Sequence, residues 1–253
     1  MTRGRIALAT VLALVLAGVS ARAGMAVGRR YEFNRLCCDM PRGRNVILSL
    51  REALGVAFFP SQVGQDKWVS ERVFPGVTDG YFVDVGSADG VEGSNTFALE
   101  QKGWRGICID PFPTNMDGRT CQMFKDVVHA KSGDRVTFRQ AGALGGIADH
   151  LGEWKEVADK YPAVEFTTVT LGEILERGSA PPFIHFMSLD IEGAELEALR
   201  GLPFDRYRFG AFAIEHNYES AKRDGIRALL ESQGYERVHT WQQDDFYISK
   251  NPE

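Results

Sequence analysis

From about residue 80 onward, short apolar runs that end at a carboxylate alternate with stretches of helical character. Phe82–Val85 is the first run, and Ser94–Lys102 behind it reads as its helix. Gly106–Ile109 is a second, ending at Asp110, where Pro111 and Pro113 stop it. Arg135–Arg139 reads as a third strand leading to the glycine-rich turn Ala141–Gly146, and Thr167–Leu175 as a short strand running into a helix. Phe183–Leu189 ends at Asp190 and precedes the helix Ala194–Arg200, while Phe209–Ile214 ends at Glu215, His216 and Asn217. Ile226, Leu229 and Leu230 give Ser220–Ser232 one buried helical face. Val238–Trp241 and Phe246–Ser249 close the pattern as a hairpin. Alternation of this kind predicts an α/β fold, a mostly parallel seven-stranded sheet covered on both faces and finished by an antiparallel pair.

The amino end follows another rule. Residues 1–31 hold no acid but carry Arg3, Arg5, Arg22, Arg29 and Arg30 around the apolar run Ile6–Val19. That run is shorter than the ~20 residues of a membrane span. With Ala21-Arg22-Ala23 it reads as a secretory signal; a membrane anchor through residues 6–19 and an organelle transit peptide are the alternatives. Residues 32–57 then form a linker with an approach helix over Arg42–Gly55, and residues 58–253 the main domain. Beyond a polar loop at Ser61–Asp66, a short helix is expected over Lys67–Val73. A net charge of −5 argues against a nucleic-acid surface. Cys37, Cys38, Cys108 and Cys121 show no zinc spacing, and their pairing is open; Cys121 is expected in a helix.

The loop after the first strand, Gly86-Ser87-Ala88-Asp89-Gly90, lets a ligand approach the backbone closely. It lacks the third fingerprint glycine of a dinucleotide site, and Asp89 would repel a phosphate. A cationic ligand without phosphate, such as S-adenosylmethionine, fits. Asp110, about 20 residues further on, is placed to accept hydrogen bonds from ribose hydroxyls.

The runs Gly80–Gly90, Ser94–Thr96, Gly103–Gly106 and Ser188–Glu195 resemble the motifs of FkbM-type S-adenosylmethionine-dependent methyltransferases, a likeness covering roughly residues 58–250. Ser61–Asp66 resembles a further segment of one branch of that family; Asp110 departs from it, because many relatives carry Glu there. The resemblance implies a Rossmann-like class I fold and methyl transfer to a hydroxyl of a sugar, glycan or other small molecule. A catalytically silent, membrane-associated relative and an NAD-linked oxidoreductase are the competing readings. For the donor the expected contacts are Asp84, Gly86, Ser87 and Asp110, with Ala143, Leu144 and Asp149 near the adenine. The catalytic candidates are Asp190 and His216. By likeness to metal-dependent O-methyltransferases, Asp190, Glu215 and His216 would hold a divalent cation, Mg or Mn; imidazole leans toward a softer ion, so His216 could instead be a base. Glu192 and Glu195 are expected to shape the substrate side, and His185 to be a satisfied core residue.

Overall fold

The computed structural model describes residues 59–251, so the expectations for the leader and for Arg42–Gly55 lie outside the described residues. Ten strands form: β1 Tyr81–Val85, β2 Arg105–Ile109, β3 Gln122–Phe124, β4 Arg135–Arg139, β5 Gly146–Ile147, β6 Ala163–Thr167, β7 Phe183–Leu189, β8 Arg208–Glu215, β9 Tyr235–Trp241 and β10 Asp244–Ser249. Seven of them make one sheet in the order β3-β2-β1-β7-β8-β10-β9. β3, β2, β1, β7 and β8 are parallel, and β10 runs antiparallel between β8 and β9. The helices that matter below are α1 Phe97–Glu100, α2 Leu171–Arg177, α3 Glu195–Arg200 and α4 Ser220–Ser232.

One strand was misplaced by the pattern. Arg135–Arg139 is not in the main sheet; it pairs antiparallel with β5 and β6 in a separate three-stranded sheet. The third parallel strand is β3, and Cys121 lies at its start instead of in a helix. β3 has three residues and only Phe124 is buried, so it leaves almost no hydrophobic signal.

Strand alternation divides the core. Val83 and Val85 point to one face, against Leu171, Ile174 and Leu175 of α2 and Ile226 and Leu230 of α4. Phe82 points to the other, against Leu99, Trp104 and Phe246. Each such side chain contributes about 1.5–3 kcal/mol by leaving water. Asp84 shares the face of Phe82, and the disulfide Cys108–Cys121 ties β2 to the start of β3 on that side. His185 is satisfied as expected, its Nδ1 accepting the Tyr81 N–H at 3.1 Å. Among the described residues no helix is long and apolar enough to cross a membrane.

Candidate active site

The site is built where β1, β2, β7 and β8 end at their carboxyl edge. Gly86 has φ +85°, and a Cβ there would stand 1.6 Å from the Asp190 carbonyl oxygen, so only glycine lets the ends of β1 and β7 meet. The loop is held by Asp110. One carboxylate oxygen accepts the Ala88 N–H at 2.9 Å and the other the Phe112 N–H at 2.7 Å. Burial pushes the Asp110 pKa up, against the pull of those two bonds. Beside it lies a cavity of about 40 Å³, bordered by Gly86, Asp110, Val127, Phe138, Gly145 and Ile191. The small antiparallel sheet thus supplies the outer wall.

The other donor candidates, Asp84, Ser87, Ala143, Leu144 and Asp149, do not line this cavity. Asp84 is fully covered on the far face, where its carboxylate accepts the Thr96 hydroxyl; burial lifts its pKa to about 6 although the Arg119 guanidinium opposes the rise. Ser87 is buried and its Oγ has no hydrogen-bond partner. Ala143 is exposed and Leu144 half-buried on a short 3-10 turn, and it is the next residue, Gly145, that reaches the cavity wall. Asp149 is exposed and borders a second, polar cavity of about 280 Å³ together with His150, Glu197 and Lys222.

Three carboxylates converge next to the Gly86 loop. Asp190 follows β7, and its N–H bonds the Val85 carbonyl at 3.0 Å. The turn after it is left-handed at Glu192 (φ +56°) and Gly193 (φ +125°), which swings Glu192 back toward Asp190. Glu195 fixes that turn: one oxygen accepts the Ile191 and Gly193 N–H groups, each at 3.0 Å, and the other lies 3.1 Å from Lys222 Nζ. Carboxylate oxygens of Asp190, Glu192 and Glu215 lie within 4.8 Å of one another. Asn217 Nδ2 donates to Glu192 at 3.1 Å and to Glu215 at 2.8 Å.

Charges this close cannot all ionise. Burial first, then the Asp190 and Glu192 carboxylates, push Glu215 up to about 12. Burial and Asp190 raise Glu192 to about 8, and Asp190 rises to about 6 by burial. Glu215 therefore holds its proton and shares it with Asp190. Asp244, which accepts from Gln65 Nε2 at 2.7 Å, is raised to about 7 by burial and by Asp190.

The structure brings Asp190 and Glu215 together, as the pattern of strand ends suggests, but with Glu192 as the third group. His216 turns toward Asp245. Its Nδ1 accepts the Tyr218 N–H at 3.0 Å, its Nε2 lies 3.9 Å from Asp245 Oδ1, and burial lowers its pKa. The signal for Glu192 was the Asp-Ile-Glu-Gly run: glycine after an acid permits the reversed turn that aims the acid at the strand end.

Searches of curated proteins and of solved structures returned no match. The family model described as Methyltransferase FkbM domain matches residues 84–237, more than half of the chain. A parallel sheet with an inserted antiparallel strand, carrying a glycine loop and strand-end acids, is the frame of a Rossmann-like methyltransferase. The chain belongs to the FkbM methyltransferase family.

Proposed function

We propose that the protein is an S-adenosylmethionine-dependent O-methyltransferase whose acceptor is a hydroxyl of a sugar, glycan or other small hydroxylated molecule. The observation that carries this reading is the Asp190–Glu192–Glu215 triad beside the Gly86 loop. The donor's sulfonium brings its own leaving group, so positioning supplies much of the rate, and an alcohol additionally needs its proton removed. Asp190 is the acid whose backbone meets the loop, at Val85 and Gly86, and is the one we assign to orient the acceptor hydroxyl.

The triad also fits a divalent cation. Its donors are all oxygens, as Mg²⁺ and Mn²⁺ prefer, and Glu215 must otherwise stay protonated. When bound there, the cation would polarise the acceptor oxygen and let the alcohol lose its proton near neutral pH. Asp110 would hold the ribose while keeping the loop closed from below. Phe138, Ile147, Val127 and Val128 give this cavity the apolar lining an adenine ring would pack against. The Cys108–Cys121 disulfide supports an oxidising compartment, reached through the leader.

The test has two arms. Calorimetry should show S-adenosylhomocysteine binding to the isolated protein. Extracts incubated with EDTA-treated protein and isotope-labelled donor should gain labelled methyl ethers only when Mg²⁺ or Mn²⁺ is restored. Label transfer that is complete in EDTA would remove the cation, and label on nitrogen or carbon would remove O-methylation.

A further inference from the structure

We propose that His129 and His150 together hold a divalent transition-metal ion, Zn²⁺ by their chemistry, with Asp149 as the third protein ligand, and that this ion clasps the small sheet onto the end of the main one.

The two imidazoles come from different parts of the fold. His129 follows Val128 beyond β3, and its backbone N–H is fixed on the Val169 carbonyl at 2.9 Å. His150 follows β5, where its N–H bonds the Ile147 carbonyl at 2.8 Å. With both backbones held, the rings turn their Nε2 atoms toward each other at 3.3 Å. A good hydrogen bond from nitrogen is shorter, about 2.7–3.2 Å. A shared ion requires the longer separation: two ligands at about 2.0–2.1 Å in a tetrahedron stand about 3.3–3.4 Å apart. The same geometry sets the ring centres about 5.2 Å apart, and they lie at 5.3 Å. Nδ1 of His129 is buried and makes no hydrogen bond, so nothing commits the ring's proton to Nε2, and that lone pair is open to a metal.

The surroundings suit a cation. His150 borders the polar cavity of about 280 Å³, whose rim sets Asp149, Glu197 and Glu219 against Lys222. Both rings are half-buried, so an ion reaches them from this side. Asp149 is exposed and adjoins His150 in sequence, which lets its carboxylate swing onto the ion, whereas Glu197 is engaged by Arg200. Imidazole ligands favour Zn²⁺ over Mg²⁺, so this site differs in kind from the all-oxygen triad. Its position gives it a purpose. Val128 and Ile147, beside the two histidines in the chain, both line the apolar cavity at Gly86. The His150 carbonyl also abuts Gly193, where a Cβ would stand 1.9 Å from it. An ion shared by the two rings thus ties that cavity's walls together and braces the turn carrying Glu192.

The probe is Zn²⁺ itself, titrated by calorimetry into EDTA-stripped and dialysed protein. The full chain is compared with His129→Ala, His150→Ala, Asp149→Asn and, as a control for the triad, Glu215→Gln. Loss of an outer partner already weakens a metal site roughly 10–100-fold, so loss of either histidine should weaken one Zn²⁺ site by at least the upper figure, and Asp149→Asn by about tenfold. Glu215→Gln should keep that site. Co²⁺ should give the intense visible bands of a four-coordinate nitrogen site in the parent and in Glu215→Gln, and these should vanish in both histidine variants. Zn²⁺ should also slow amide exchange at Val128 and Ile147. Bands or Zn²⁺ affinity that survive in a folded His150→Ala, or that Glu215→Gln removes, overturn the proposal. A parent protein without the Co²⁺ bands overturns it whether or not the variants fold, and unchanged amide exchange overturns the clasp.

Discussion

Glu215→Gln should stabilise the cation-free protein at neutral pH, and the size of the gain follows from one buried proton. Glu215 is 6% exposed and shares its proton with Asp190. Its pKa moves from 4.5 to about 12 on folding. A carboxyl with a raised folded pKa favours the folded state fully at acid pH, and that contribution is lost as pH climbs above 4.5. At pH 7 the loss from this group is about 3 kcal/mol, at about 1.4 kcal/mol per pH unit. Any folded pKa well above 7 gives the same figure, so it does not depend on the full shift. Glutamine keeps the shape: its amide can donate to Asp190 and accept from Asn217. The variant should then match the parent near pH 4.5 and exceed it at pH 7 by up to about 3 kcal/mol, roughly 6–12 °C in melting temperature for a domain of this size. The assay is thermal and urea unfolding of EDTA-stripped protein from pH 4.5 to 8, repeated with Mn²⁺. Mn²⁺ should stabilise the parent and not the variant. An unchanged pH slope in Glu215→Gln would refute the reasoning.

Two further outcomes rest on the far face of the sheet. Arg119 and Glu100 form an ion pair with side chains 1% and 2% exposed, so Arg119→Met should cost about 3–5 kcal/mol in urea unfolding by stranding the carboxylate. Cys121→Ser opens a loop of sequence separation 13 and should cost about 3 kcal/mol, read as a lower denaturant midpoint that reducing agent reproduces in the parent.

Where burial was strong and local, the sequence disclosed the structure. Phe183–Leu189 and Ser220–Ser232 were legible to the residue, because one is almost wholly buried and the other carries a single apolar face. β3 escaped because a three-residue edge strand takes its place from pairing to β2, a long-range contact without local trace. Arg135–Arg139 was a correct strand in a wrong sheet: its pattern records half-burial but not its partner. At the site, Asp190 and Glu215 could be read from strand ends, whereas exchanging His216 for Glu192 depended on backbone angles. Asn217 and Tyr218 are left-handed at φ +46° and +58°, and the hydrogen bond from Tyr218 N–H holds His216 away from the triad. No periodicity encodes such a turn.

The order of the sheet sets a schedule for synthesis. β10 comes last in sequence among the described strands, yet it lies inside the sheet, between β8 and β9. Until residue 249 has left the ribosome, β8 has an open edge along Ala211–Glu215, and Asp244 is not there to meet Gln65. The glycine loop and the triad come from earlier strands, so a nascent chain carries the chemistry before it has the edge that closes it. Anything that shields the nascent β8 edge would therefore act on this one strand, and its release would coincide with the arrival of β10.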